Sequence, residues 1–461
     1  MRVRVLSGVI ALAGFLLVAV VSIRASADID FRAFYCGGAV VNVGLDPYRV
    51  EPLRTCEHGV SAYSLPPDFR KSALASGSVV PVPLPEYDLA AFALLARLPY
   101  RQAALLWQVL LWGFVGITII AAHRLTGMSP AIITAALLFS DGFLSSFLGQ
   151  LVPFSLAGLV LAALCASQRR HTLAAISLTL ALCEPHIGFS ALLALTLLVP
   201  SSRWGIVVCA GTLCLLTYAA TGGAWTFEYF HEVLGRHALS EVNNDGQYSL
   251  TTLCRLIGVP QRIAVFLGEA SYVLSLAAGI VVGESLRRKS HEDAFIITIP
   301  AAFALIGGPF IHIAQMAAAL PAALLLHTRL PTFRRPLGWA IVLLAIPWTA
   351  FIELQIVLPC LVLGLGFLAW TFIDDRRVAI CTTIGSVALL VAAATEFHFD
   401  IPTTRILVSP TAFSEDAWRV AVDTLFSKHA AFFFPLKIPT WYGLFLIAWA
   451  AIKAPATPAT T

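Results

Sequence analysis

The sequence predicts an all-α integral membrane protein that crosses the bilayer many times. Hydrophobic residues make up 58% of its 461 residues and charged residues only 12%, whereas soluble domains are about a quarter charged. Apolar runs recur along the whole length, and no long polar domain separates them. Because a bilayer core of roughly 30 Å requires about 20 apolar residues per helix, we predict about 14 transmembrane helices.

The predicted spans form one transmembrane domain over residues 1–453, followed by a disordered cytoplasmic tail at 454–461. Several are shorter than a full span, so two neighbours could form one re-entrant element. In chain order the spans are Val5–Ser22, Ala103–Ala122, Pro130–Phe147, Leu151–Ser167, Leu173–Cys183, Ile187–Val199, Trp204–Ala220, Ile263–Val282, Ala294–Ile306, Ile311–His327, Leu337–Ala350, Gln355–Ile373, Val378–Ala394 and Thr440–Ile452.

The short basic loops predict the orientation of these spans, because Lys and Arg near span ends favour the cytoplasmic side. Arg2 and Arg4 place the N-terminus inside. Alternation then puts every short basic loop inside, and the loops at 24–100, 221–261 and 396–437 outside. We therefore expect a multi-pass protein of the plasma or inner membrane whose active site faces the periplasm or the extracellular space.

The N-terminus has a second interpretation. Arg2 and Arg4, an apolar stretch and Ala25-Ser26-Ala27 are also typical of a cleavable signal peptide. The apolar run is longer than a usual signal core, and Arg24 precedes the small residues, so an uncleaved anchor helix fits better. Both interpretations place Asp28 and Asp30 outside.

The cysteines predict no metal cluster, because nine of them contain neither zinc-ligand spacing nor a Cys-x-x-Cys pair. Most lie in spans. Cys36 and Cys56 share the first outer loop, where an oxidising compartment permits a disulfide, although they could equally be unpaired. The sequence contains no glycine-rich nucleotide loop and no basic tail, so we expect no nucleic-acid partner and no cofactor.

Polar residues concentrate on the predicted outer face. Polar groups at membrane depth are costly, and their default interpretation is functional. Taken singly, Gly149-Gln150 and Gly307-Gly308-Pro309 are typical of turns, and His186 and His312 of interfacial side chains. The shared face argues against coincidence. The apolar segment Leu84–Pro99 is too short to span and could lie at the interface as an amphipathic helix.

The first predicted outer loop contains Asp30-Phe31-Arg32-Ala33-Phe34-Tyr35, followed by Gly44-Leu45-Asp46-Pro47-Tyr48. These residues resemble the entry motif of glycosyltransferase family 87, whose members are polyprenol-phosphate-mannose-dependent mannosyltransferases of the GT-C superfamily. Leu148-Gly149-Gln150 is similar to the family's Asn-Gly-Gln turn, Glu184-Pro185 to its Lys-Pro, and 245–250 to its Asn-Gln-Ser-Leu. Gly308-Pro309, the histidine-containing helix start and Pro321 are similar to its Ser-Pro and paired-His segment.

The resemblance covers residues 1 to about 330 and implies a GT-C-type helical bundle with outer loops and short interfacial helices. The sequence departs from the family pattern at Glu184, which replaces the Lys, and at Ala314-Gln315, which replaces the paired His. Both departures affect the expected contacts with the donor phosphate.

The implied activity is hexosyl transfer, with mannose as the expected sugar, from a polyprenyl-phosphate donor to a hydroxyl of a glycolipid or cell-envelope glycan. Such a reaction requires one base, for which we predict Asp30, with Asp28 as a second candidate or orienting group. For the donor phosphate we expect Arg255, His312, His186 and Gln315, and for sugar or acceptor Tyr35, Tyr48, Gln150, Glu184, Asn244 and Gln247.

Two further hypotheses remain open at this level. Two nearby acids could bind a metal ion, but a monophosphate leaving group needs less charge neutralisation than a diphosphate, so we expect none. A transporter or flippase of a lipid-linked sugar would also need a polar cavity, yet transporters usually bind near the midplane. A non-catalytic membrane scaffold is the third class. Membrane lipids are partners in every case.

Overall fold

The computed structural model describes residues 2–25, 28–64, 79–244, 246–349, 357–396, 408–425 and 430–455. Asp245 and most of the predicted tail, 456–461, lie outside the described residues, as do 26 and 27 of the proposed cleavage site. The described chain is helical, with no strand longer than an isolated bridge between two residues. The all-α prediction is confirmed.

The helices follow one another through short connections. In chain order they are α1 (Arg2–Ala25), α2 (Ile29–Asn42), α3 (Val50–Ser64), α4 (Glu86–Leu95), α5 (Tyr100–Thr126), α6 (Pro130–Leu148), α7 (Val152–Ser167), α8 (His171–Ala181), α9 (Pro185–Leu198), α10 (Arg203–Thr221), α11 (226–240), α12 (Leu250–Leu256), α13 (Gln261–Ser290), α14 (Phe295–Ala304), α15 (Ile313–Arg329), α16 (Arg334–Leu344), α17 (Leu358–Phe372), α18 (Arg376–Glu396), α19 (Ser414–Leu425) and α20 (Ala430–Lys453).

All fourteen predicted apolar segments fall on helices, although residues 350–356 are not described. Six helices of the described chain are long and apolar enough to cross a membrane, or up to eight if each of two bent pairs is one span. One bent pair is Ile313–Arg329 with Pro331–Leu344, which turn by 117°. The protein is a polytopic membrane protein, but the predicted number of fourteen spans is not confirmed.

Helix α10 shows how the bundle meets its solvent. Trp204 is 78% exposed and Leu215 67% exposed. Apolar side chains exposed over such a length would be unfavourable in water but suit contact with lipid. In contrast, α14 lies in the centre of the bundle, and every one of its residues is buried.

A second hydrophobic core lies apart from the core of the bundle. It joins Phe31, Leu53 and Phe92 from α2, α3 and α4 with Val233 from α11 and Ala417 from α19. We call these five helices the cap. Helix α2 packs mainly on α3 and α4 and bends by 62° from α1, so we assign it to the cap.

The cap corrects the expected placement of segment Leu84–Pro99. The helix exists as α4, but it is buried on several sides, with Leu89 and Phe92 inaccessible and the carboxylates Glu86 and Asp88 also buried. Glu86 accepts hydrogen bonds from Thr221 and from the backbone N–H of Trp225. The helix therefore serves as the centre of the cap and not as an amphipathic helix on a lipid surface.

Candidate active site

A cavity of about 810 Å³ lies between the cap and the bundle. Its walls come from α2, α4, α9, α11, α13, α15 and α19 and from the connections before α4, after α6, between α8 and α9, and before α15. Polar side chains converge on it although they lie far apart in the chain. Those with an ionisable or amide group are Asp30, Tyr87, Gln150, Glu184, His186, Tyr229, His231, His237, Glu241, Glu269, Tyr272, His312 and Gln315.

Asp30 reaches the cavity from the first turn of α2. Burial raises the pKa of its carboxyl from the ordinary value to about 6, although the hydrogen bond from the Gln150 side chain and the nearby His312 and Arg32 oppose the shift. A carboxylate with such a pKa is ionised at neutral pH and is a stronger base than an exposed aspartate. Asp30 can therefore accept a proton from a bound hydroxyl.

Asp28 occupies a different environment. Its backbone is left-handed (φ 46°), its N–H donates to the Phe147 carbonyl at 3.1 Å, and its carboxylate accepts a hydrogen bond from Nε2 of Gln108 at 2.6 Å. It is buried and does not line the cavity. Asp28 thus fixes the start of α2 against α5 and α6, and the two acids, which are separated by one residue in the sequence, have different surroundings.

The Gly149-Gln150 turn places one of the groups beside Asp30. Gly149 ends α6 in the left-handed region (φ 82°), and a Cβ built there would lie 2.6 Å from Cβ of Phe31. Only glycine allows this turn and this approach together. The next residue, Gln150, then hydrogen-bonds Asp30. The turn therefore both ends α6 and positions the Gln150 side chain beside Asp30.

His237, Glu241 and His312 form a cluster in the cavity wall. His237 and Glu241 lie one helical turn apart at the end of α11, and His312 precedes α15. One potential ligand atom from each lies within 4.8 Å of the others. Burial lowers the pKa of His237 to about 4. Burial would raise the pKa of Glu241, but both histidines and hydrogen-bond donors outweigh it and hold that pKa below its ordinary value.

An antiparallel bridge brings His312 to this cluster. Gln247 pairs with His312, the N–H of Tyr248 donates to the Ile311 carbonyl at 2.7 Å, and the N–H of Ile313 donates to Gly246 at 3.0 Å. The Gln247 side chain accepts from the N–H of Ile311 and lies 3.1 Å from Oε2 of Glu241. Gln247, expected to bind sugar, thus supports His312 and Glu241.

Glu184 and Gln315, the two departures from the family pattern, contact each other. Nε2 of Gln315 donates to Oε2 of Glu184 at 2.9 Å, and its Oε1 accepts the N–H of His312 at 2.8 Å. Burial raises the pKa of Glu184 to about 8. Nε2 of His186 lies 3.9 Å from the same carboxylate. Both departures therefore line one side of the cavity beside His312.

Six predicted residues lie outside the cavity lining: Asp28 and Gln247, described above, and Arg255, Asn244, Tyr35 and Tyr48. Nη1 of Arg255 donates to the Val259 carbonyl at 2.8 Å, and Nδ2 of Asn244 donates to Glu241 at 2.7 Å. The hydroxyls of Tyr35 and Tyr48 donate to the carbonyls of Leu98 and Leu84 within the cap. Arg255 caps its own helix end, so the structure does not bring this cation to the cavity.

Sequence reasoning missed His237, Glu241 and Trp418, which complete the cavity wall. The signal was present: a histidine and a glutamate four residues apart share one face of a helix, and both lie in the predicted outer loop 221–261. Such a pair is common, and His312 joins it only through the bridge.

The disulfide between Cys36 and Cys56 is formed in the structure, where it links α2 to α3 across a sequence separation of 20. This confirms one of the two outcomes left open for these cysteines. The bond ties the helix that carries Asp30 to its neighbour in the cap.

Residues 88–309 match the family model of glycosyltransferase family 87. The predicted family is thereby confirmed. The match is narrower than the predicted 1–330 and includes Gln150, Glu184, His237 and Glu241, but not Asp30 or His312. No curated protein and no solved structure matches the chain significantly. The protein is a membrane glycosyltransferase, which favours the enzyme hypothesis over the transporter and the scaffold.

Proposed function

We propose that this family 87 chain transfers a hexose, with mannose as the first candidate, from a polyprenyl-phosphate sugar to a hydroxyl group of a glycolipid or cell-envelope glycan. The observation that carries the proposal is Asp30, a half-buried carboxylate that faces a polar cavity within hydrogen-bonding reach of Gln150. The apolar face of α10 beside the cap supports a substrate that remains anchored in lipid.

In the proposed reaction the acceptor hydroxyl gives its proton to Asp30 while its oxygen attacks the anomeric carbon. The bond between that carbon and the phosphate oxygen breaks, and the electron pair leaves with polyprenyl phosphate. The transition state is oxocarbenium-like. A single displacement inverts the anomeric configuration, and no acid is needed because phosphate is already a good leaving group.

Other cavity groups are assigned by the charge and polarity they present. Gln150 and Glu184 are suited to bind sugar hydroxyls, and His312, His186 and Gln315 lie on the side where we place the donor phosphate. Glu184, with a pKa of about 8, is largely protonated at neutral pH, so it adds little repulsion toward a phosphate there.

We place the cavity on the outer face of a plasma or inner membrane, with the N-terminus in the cytoplasm. Two observations support this orientation: the short basic loops favour the opposite face, and the cap contains a disulfide, which persists in oxidising compartments. Labelling of single cysteines introduced at Ser290 and at Thr411 with an impermeant thiol reagent in intact cells tests it, since only Thr411→Cys should react.

The reaction is tested with purified protein, polyprenyl-phosphate mannose and a lipid extract as the source of acceptor. Wild-type protein should release polyprenyl phosphate and form a mannosylated lipid, detected by mass spectrometry, whereas Asp30→Asn should not. Equal release by both proteins would sink the catalytic proposal. Release with another polyprenyl-phosphate hexose, and none with mannose, would correct the sugar and retain the mechanism.

A further inference from the structure

The proposed reaction requires positive charge in the cavity, and the side chains that line the cavity do not supply it. Asp30, Glu184, Glu241 and Glu269 all line it, while among the described residues no Lys or Arg does. A departing phosphate carries negative charge and requires a cation or strong donors opposite the base.

We propose that His237, Glu241 and His312 bind a divalent metal ion of the zinc class, which keeps an open coordination position toward the cavity. The two residues from α11 are spaced by four and share one helix face, and the bridge between 246–248 and 311–313 delivers the third. Two imidazoles and one carboxylate form a donor set that zinc uses in catalytic sites, with the fourth position free for water or substrate.

The distances are compatible with a site that tightens when metal binds. The three ligand atoms lie within 4.8 Å of one another, and Nε2 of His312 is 3.9 Å from Oε2 of Glu241. In a tetrahedral zinc site with bonds of about 2.0–2.2 Å, ligand atoms are roughly 3.3–3.5 Å apart. Side-chain adjustments of about 1 Å would therefore close the site.

The hydrogen bonding of the histidines is incomplete without a ligand. Nδ1 of His237 is buried and has no hydrogen-bond partner among the described residues, and the side chain is only 5% exposed. Buried polar atoms are normally satisfied, and an exception calls for an explanation. For His312, Nε2 of Gln247 lies 3.1 Å from both ring nitrogens, so it can satisfy only one of them.

Three hydrogen bonds orient the carboxylate of Glu241, as is usual for a carboxylate that binds a metal ion. Nε1 of Trp418 donates to Oε1 at 2.5 Å, and the amides of Asn244 and Gln247 donate to Oε2 at 2.7 and 3.1 Å. Such contacts fix the orientation of a ligand, and their loss typically weakens metal binding about 10- to 100-fold. The three donors therefore hold the Glu241 carboxylate in one orientation.

The role of the ion rests on the proposed function. The carboxylate of Asp30 lies within electrostatic reach of His312 and Glu241, so base and metal would stand on facing sides of one reaction centre. A metal ion there would supply the positive charge that stabilises the leaving phosphate. No metal was expected from the sequence because a monophosphate leaving group needs less charge neutralisation than a diphosphate, yet among the described residues the cavity lining offers no Lys or Arg to supply that charge.

The test measures metal binding directly. The full chain, purified in detergent and stripped with a chelator, is titrated with ZnCl₂ in competition with a chromogenic chelator, and the metal content is then measured by mass spectrometry. We expect one zinc per chain in the wild type. Glu241→Gln and His312→Ala should each weaken binding more than about 100-fold, and Trp418→Phe about tenfold.

His171→Ala is the matched control, because Nε2 of His171 lies 2.9 Å from Oδ2 of Asp293, a histidine–carboxylate pair that belongs to no three-ligand cluster among the described residues. Its zinc content should equal that of the wild type. Cobalt loading gives a second measurement: the visible absorption of tetrahedral Co²⁺ should appear in the wild type and in His171→Ala. Size-exclusion chromatography shows whether each variant is folded.

The outcomes separate this site from the proposed reaction. Failure of the folded wild type to bind zinc, or unchanged binding in Glu241→Gln and His312→Ala, would overturn the metal site. If zinc binds as expected but no sugar is transferred, the site stands and the proposed reaction fails. Transfer that survives complete removal of metal would leave the reaction and refute the role of the ion.

Discussion

Replacing Asp30 by Asn tests the chemistry with little structural change, because the amide has the size of the carboxylate. General-base catalysis contributes typically 10²–10⁴-fold, so we expect kcat to fall by about 10²–10⁴, or roughly 3–5 kcal/mol of transition-state stabilisation. Donor KM should change little. Asp28→Asn is the matched control: Asn tolerates left-handed backbone, and its amide oxygen can still accept the Gln108 hydrogen bond.

The pH dependence of the wild type gives the same prediction a second measure. With a pKa of about 6, the Asp30 carboxylate exceeds its acid form about thirtyfold at pH 7.5, but is about tenfold less abundant than the acid at pH 5. Only the ionised form accepts a proton, so kcat/KM should fall about tenfold between these values. The charged groups that interact with Asp30 are Arg32, Glu241 and His312, together with Glu184.

The assay follows polyprenyl phosphate release at saturating and at limiting donor from pH 5 to 8.5, with circular dichroism at each pH to exclude unfolding. Wild type and Asp28→Asn should share one acidic limb, which residual activity in Asp30→Asn should lack. A loss of activity in Asp28→Asn equal to that in Asp30→Asn would refute the separation of the two acids. An acidic limb retained in Asp30→Asn would assign the titration to another group.

The remaining predictions concern the supports of the site. Gly149→Ala should lower thermal stability and kcat, because its Cβ would meet Phe31. Gly44→Ala is the control: its backbone is also left-handed (φ 73°), but no atom lies within 4 Å of the added Cβ, so kcat should be unchanged. Equal losses of activity in the two variants would contradict this. Changing Cys36 and Cys56 together to Ser should lower the free energy of unfolding by about 3 kcal/mol, because the unfolded chain is no longer constrained by the crosslink. In a thermal unfolding assay, reductant should destabilise the wild type but not the double variant. Glu184, with a pKa of about 8, should become charged above pH 8 and raise donor KM, whereas Glu184→Gln should show a flat KM up to pH 9; a parallel rise in both would exclude Glu184 as the cause.

The bundle could be predicted because its signal is local. A run of apolar residues predicts a helix whatever it later packs against, and each of the fourteen segments contains a helix among its described residues. The cap could not be predicted in this way. In α2 the sequence Ile29-Asp30-Phe31-Arg32 is neither a long apolar run nor a strong amphipathic pattern, and the helix is stabilised by burial of Phe31 against α4 and α5.

In the candidate site, too, residues in short local motifs could be predicted, whereas residues brought together by long-range contacts could not. Asp30, Gln150 and Glu184 could be predicted from short motifs and do converge on one cavity. Arg255 was predicted to bind the donor phosphate only from its charge and its position on the predicted outer face. In the structure it donates a hydrogen bond to the Val259 carbonyl just after its own helix, a contact that the sequence motif does not reveal. His237 was missed because its partner His312 lies in a distant segment, and hydrophobic periodicity carries no information about such pairs.

The arrangement of acids explains why the departures from the family pattern are compatible with the same reaction. A Lys at position 184 would bring a positive charge toward the donor phosphate; Glu184 removes it, but burial raises the pKa of its carboxyl to about 8 against the opposing hydrogen bond from Gln315, so the group is largely neutral at pH 7. The charge that is lost must then come from elsewhere in the cavity. A metal ion bound by the three-ligand cluster of His237, Glu241 and His312 beside Gln315 could supply it. If so, Glu184→Lys would restore a positive charge at this position, and the variant should depend less on added zinc for sugar transfer.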